Sequence, residues 1–174
     1  MQTIKARNFC TIKEVIMFQK ILAALDHSNL SGLVFQQALD LAKTNGASLM
    51  LVHILSSAEE GYPVPTIPDR YAGELGNSMT LYLHQWEVYQ KEGLDFLQSH
   101  AAEAINRGIN TEYIQGQGNP AEEICQFARI WEADLIILGR HGRSGLTELL
   151  LGSVSNHVVH HAPCSVLTIH PLVA

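Results

Sequence analysis

Residues 139–153 read GRHGRSGLTELLLGS, with Gly139 and Gly142 three positions apart and nine residues between Gly142 and the pair Gly152-Ser153. Glycines let a backbone approach a ligand closely and adopt positive φ. A Gly-Ser pair opening a helix offers unpaired amides to an anion. The hydroxyls of Ser153 and Ser155 can donate there, and Arg143 can add a charge-assisted bond. Together these groups describe a phosphate site. A Gly-x-x-Gly pair by itself reads equally as an ordinary strand-to-helix turn; the combination, directly after an apolar run, carries the signal. Rival signatures are missing: there is no GxxxxGK[ST], and no GxGxxG follows the first apolar run.

Other reactive side chains are scattered. Asp26 ends the run KILAALD and reads on its own as a helix cap; paired with the glycine stretch it becomes a ligand contact. His27 and His141 lie near these segments but show no carboxylate partner or nucleophile in sequence. His53 falls within a buried run and reads as a core contact. His157, His160 and His161 have pair spacing without a third ligand, so they do not define a metal site. Tyr82, Trp86 and Tyr89 form a helical aromatic stripe that packing or a subunit contact explains.

The elements that must position these residues follow from periodicity. Apolar runs at 20–26, 48–55, 133–138 and 165–169, with a more polar run at 111–115, predict five strands. A helical pattern over 31–45 starts after the capping types HSN and ends at Asn45-Gly46. A second runs from 81 to 107, interrupted at Gly93, and a third begins at Pro120, whose missing amide costs nothing in a first turn. A short helix over TELLL and another opening at Gly152-Ser153 precede the last strand. Residues 56–80, with Pro63, Pro65 and Pro68, predict an irregular excursion. Strands alternating with helices give an α/β domain over 19–174, with 1–18 an extension of undetermined role.

Composition narrows the function. The chain has 174 residues, 47% of them hydrophobic, and a net charge of −6. No basic run offers a nucleic-acid backbone a partner, and no stretch nears the roughly 20 apolar residues that span a bilayer. Three distant cysteines, Cys10, Cys125 and Cys164, read as reduced thiols. With no signal-peptide pattern at the start, the expectation is a cytoplasmic protein without nucleic-acid or membrane partners.

The glycine stretch also resembles the nucleotide-binding branch of the universal stress protein family, whose motif G-x2-G-x9-G-[ST] falls on Gly139, Gly142, Gly152 and Ser153. ILAALDHS, LVHIL, HGRSGL, LLLGS and HAPCSVLTI are similar to further landmarks, so the resemblance covers roughly 19–171. It implies an open five-stranded parallel sheet in order 3-2-1-4-5 with helices on both faces. It also implies a site for ATP or AMP, with magnesium accompanying ATP. In that site Leu25 and Asp26 lie at the ribose-adenine end, Asp26 being the one carboxylate available to magnesium. The backbone of Ile54 meets the adenine edge, and Gly139 lies near the ribose. Arg140, His141, Gly142, Arg143, Gly152, Ser153, Val154 and Ser155 lie around the phosphates, Val154 through its backbone. The strand at 165–169 implies a homodimer, and the family a stress-response sensor read by an unidentified downstream protein. The alternatives are a nucleotide-independent structural or chaperone-like dimer and a slow ATPase or self-phosphorylating protein.

Overall fold

The structure, a computed structural model, describes residues 18–59, 61–65, 75–140 and 152–170. Five strands form it: β1 (Lys20–Ala24), β2 (Ser48–Leu55), β3 (Thr111–Gln117), β4 (Leu135–Gly139) and β5 (Ser165–Ile169). Among the described residues four helices connect them: α1 (Ser31–Asn45), α2 (Leu75–Asn106), α3 (Pro120–Ile130) and α4 (Ser153–His161). All four strand pairings are parallel, and the sheet order is β3-β2-β1-β4-β5, as the resemblance implies. The first two strands align Lys20 with Ser48 and Ala24 with Val52; β1 and β4 align Ile21 with Leu135.

Successive strand residues point to opposite faces, so one apolar run can feed two cores. Ile21, Ala23, Leu49, Leu51, Leu135 and Ile137 pack with Val34, Phe35 and Leu39 of α1 and Leu97, Ala101 and Ala104 of α2. Leu22, Met50, Val52, Ile54, Ile136 and Leu138 pack on the other face with Ile124, Cys125 and Ala128 of α3 and Val158 of α4. That double burial is why β1, β2 and β4 read as continuous apolar runs rather than alternating ones. β3 and β5 end the sheet order and are more exposed.

Helix boundaries follow local chemistry. Gly46 ends α1 in the left-handed conformation, its amide bonded to the Ala42 carbonyl. Asn119 caps α3 by accepting from the Ala121 amide at 3.1 Å, with Pro120 in the first turn and Glu122 and Glu123 on the positive end. At the start of β1, the Asp134 carboxylate accepts from the amides of Gln19 (2.7 Å) and Lys20 (3.2 Å), tying β1 to the lead-in of β4.

Four sequence expectations change. Gly93 does not interrupt its helix: α2 runs through it, from Leu75 rather than residue 81. A Cβ at Gly93 would lie 2.2 Å from Gln115 Nε2 and 2.8 Å from the His53 ring, so glycine is there for close approach. The HSN side chains do not cap α1; its N-cap is Leu30, without a side-chain bond. β3 extends to Gln117, because Gly116 lets the strand pass under Phe127 and Ile54. The short helix expected over TELLL lies outside the described residues.

Candidate functional site

A cavity of about 320 Å³ opens at the carboxyl ends of β1, β2 and β4. β1 and β4 are neighbours in space but leave the sheet toward helices on opposite faces, so their ends diverge. Open parallel sheets hold ligands at such a switch point.

From β1 come Leu25 and Asp26. Strand pairing stops at Ala24, but the Leu25 amide still donates to the Val52 carbonyl at 2.8 Å, so Asp26 is the first residue free to turn. Its Oδ1 accepts from the Ser28 amide (3.0 Å), the Ser28 hydroxyl (2.5 Å) and the Ser31 hydroxyl (2.7 Å). The Asp26 amide in turn donates to Ser31 Oγ at 2.8 Å. Asp26 therefore folds the β1–α1 turn with one oxygen and keeps Oδ2 for other work.

Gly139 ends β4 at the cavity wall. Its φ is not positive, contrary to the expectation for this glycine; a Cβ there would meet Leu30 Cδ2 at 2.8 Å, so its smallness is what the site uses. The Arg140 carbonyl accepts from the Gly152 amide (2.9 Å) and the Ser155 hydroxyl (3.0 Å). Gly152 can make that contact because a Cβ would sit 2.7 Å from the same carbonyl oxygen. Ser155 is buried, and its hydroxyl also lies 3.1 Å from the Gly152 carbonyl, so its proton is held within the fold. The Arg140 guanidinium reaches the His170 ring beyond β5.

These bonds fix the start of α4 against the end of β4. α4 has no side-chain cap at Gly152. The first-turn amides of an α-helix lack intrahelical partners, and Gly152, Ser153, Val154 and Ser155 line the cavity. The cavity is thus polarised. A helix N-terminus, equivalent to a partial positive charge, lines it on the β4 side, and Asp26 after β1 and a second carboxylate after β2 line it beyond.

The second carboxylate, Glu59, was not foreseen in the sequence. Its Oε1 accepts from His53 Nε2 at 3.0 Å and its Oε2 from the Tyr89 hydroxyl at 2.5 Å. Burial pushes the Glu59 carboxyl up, but the bonds from His53 and Tyr89 outweigh it and hold the group below its ordinary value. Burial and the same carboxylate push the Tyr89 phenol up. His53 is buried, and its Nδ1 has no hydrogen-bond partner. The available signal was a carboxylate four residues past the end of a buried strand that itself carries a histidine.

Of the residues named from sequence, Leu25, Asp26, Ile54, Gly139, Arg140, Gly152, Ser153, Val154 and Ser155 all line this cavity. His141, Gly142 and Arg143 lie outside the described residues. Val34, Val52, Pro120, Ile124 and Leu138 add apolar wall. His27 packs on His53 and Phe96 instead. The His157 and His161 rings stack at 4.0 Å, and among the described residues no group of three or more metal-ligating side chains forms. Cys125 and Cys164 are free; burial pushes the Cys164 thiol up to about 11, with the Asp134 charge adding to it.

A five-stranded parallel sheet in this order, with a polarised cavity between the first and fourth strands, is the doubly wound class that binds ligands at strand ends. Within it, the chain belongs to the universal stress protein family, whose family model matches residues 17–170. It is 36% identical over 153 residues to universal stress protein Sll1388 of Synechocystis, covering 87% of this chain and 97% of the relative. Universal stress protein YxiE of Bacillus subtilis is 33% identical over 159 residues, covering 88% and 99%. The fold matches that of protein MJ0577 with a TM-score of 0.70 at 22% identity, over 91% of this chain and 99% of that one. It also matches a universal stress protein in complex with cAMP (TM-score 0.58, 21% identity, 88% and 98% covered). The universal stress protein of Archaeoglobus fulgidus in complex with dAMP gives a TM-score of 0.55 at 19% identity, with 88% and 99% covered.

Proposed function

We propose that this chain binds an adenine nucleotide, ATP or AMP, in the cavity and acts as a nucleotide-dependent regulatory protein of the stress response. The observation that carries the reading is the cavity's mixed lining: helix amides on the β4 side, carboxylates after β1 and β2, and apolar residues around them. Phosphates belong at the start of α4, where the first-turn amides of Ser153 and Val154 meet negative charge and Gly152, its own amide held by the Arg140 carbonyl, allows close approach. Ser155 acts there by its backbone, since its hydroxyl is held by Arg140. Ribose belongs near Asp26 and Gly139, and the base between the backbone of Ile54 and the apolar side chains around it. His141, Gly142 and Arg143 complete the phosphate end.

The complexes of relatives with cAMP and dAMP support an adenine ligand. Magnesium, if carried with ATP, would find Asp26 Oδ2 as a single protein oxygen. That set suits an ion held chiefly by phosphates and water. The rest of the reading is a nucleotide-binding unit over 19–174 in the cytoplasm, dimeric through β5, whose nucleotide state is read by a further protein. No helix among the described residues is long and apolar enough to cross a membrane.

The test is mass spectrometry of small molecules released on denaturing the purified protein, followed by calorimetric titration of ligand-free protein with ATP and AMP, with and without magnesium. Stoichiometric binding is expected. Gly152→Ala should weaken it by about tenfold or more, because the new methyl drives the Arg140 carbonyl from the start of α4. A protein that carries no nucleotide and gives no heat at several temperatures overturns the reading in favour of a nucleotide-independent dimer.

A further inference from the structure

The sheet order lays the cavity out in sequence. The end of β4, with α4 behind it, comes first; Asp26 after β1 is next, and Glu59 after β2 lies farthest from α4. Neighbouring strands are about 4.8 Å apart, so two steps carry the wall roughly 10 Å from the β4 end. That is about the reach from a nucleotide's phosphate to its base. Glu59 therefore stands at the base end, where the nucleotide reading gave it no work.

Glu59 is firmly held there. One oxygen is bonded to His53 and the other to Tyr89, and the turn it sits on is closed by its own amide donating to the Ser56 carbonyl at 2.9 Å. A carboxylate has about four lone-pair sites; two are taken, and the residue still lines the cavity. Ionised, it is an acceptor only. The base facing it must then offer N–H. Adenine's 6-amino group has two such hydrogens, enough for a backbone carbonyl and a carboxylate together. A 6-oxo purine would set its own lone pairs against those of Glu59.

On the basis of the nucleotide reading above, we propose that Glu59 is the specificity-determining residue of the base end, selecting 6-amino over 6-oxo purine nucleotides. His53 and Tyr89 are positioning residues that fix its direction.

The experiment is calorimetric titration with AMP and IMP, which differ in the 6-substituent and in the hydrogen that IMP carries on N1, on the full chain and on Glu59→Gln and Tyr89→Phe. The parent protein should prefer AMP by about tenfold or more, since a buried acceptor facing an acceptor forfeits a charged hydrogen bond. In Glu59→Gln, whose amide can also donate, the ratio should fall to within about threefold. Tyr89→Phe keeps the carboxylate and should keep the preference, any loss falling on both nucleotides alike. Equal binding of AMP and IMP by the parent overturns the assignment while leaving nucleotide binding intact. So does an unchanged ratio in Glu59→Gln, or an equal loss of both ligands there. Binding of neither nucleotide by the parent removes the nucleotide reading itself and this assignment with it.

Discussion

At the scale of single residues, glycines with the same name do opposite things. Gly32 lies in the first turn of α1 with nothing within 4 Å of a built Cβ, whereas a Cβ at Gly93 would lie 2.8 Å from the His53 ring. Gly32→Ala should stabilise the protein by about 0.5–1 kcal/mol, by removing backbone freedom from the unfolded chain and adding helix propensity. Gly93→Ala gains the same propensity but overpacks the His53–Gln115 contact. Overpacking costs about 1–3 kcal/mol, so the net change should be destabilising. Urea denaturation of the two variants should move the midpoints in opposite directions; a stabilised Gly93→Ala would show that the ring yields freely. Glu59 has its own signature. Because its folded value is depressed, the stability it contributes is present above the ordinary carboxylate range and lost as pH falls through the folded value. Urea midpoints should therefore fall more steeply with acid in the parent protein than in Glu59→Gln, and parallel curves would contradict the depressed value.

The elements were mostly legible in the sequence because their signals are local. A run buried on both faces has no polar positions to blur it, so β2 at Ser48–Leu55 has the bounds that its apolar run predicts. Asn119-Pro120 is a helix start written in two residues, and the structure uses both. Asn119→Ala should cost about 1 kcal/mol, measurable as a lowered urea midpoint with an unchanged slope; no change would mean that water caps the Ala121 amide equally well. The glycine-rich cavity ends were legible too, since strand ends and helix starts are marked by residue type. What stayed hidden depends on contacts between distant segments. Gly93 reads as a helix breaker until β3 and His53 are seen against it. HSN reads as a cap until Asp26 takes the Ser28 and Ser31 hydroxyls. Glu59 lies unmarked in the irregular stretch after β2 until Tyr89, thirty residues on, donates to it.

For the molecule as a whole, the sheet ends at β3 on one side and β5 on the other, and β5 carries half-buried Val166, Leu167 and Ile169. A sheet edge of this kind calls for cover, which a second copy would provide in the proposed dimer. Sedimentation equilibrium at micromolar concentration should give twice the chain mass of 19.2 kDa; a mass of one chain throughout would remove the dimer from the proposal. The knot of bonds at the Arg140 carbonyl has a wider consequence. With Gly152 and Ser155 gathered on it, the chain leaves the sheet and returns to it at one spot, so whatever is written into residues 141–151 begins and ends on the same fixed post. Closing a longer loop costs only about 0.6 kcal/mol per doubling of its length. Insertions and rewritten residues there should leave the stability of the two cores nearly untouched.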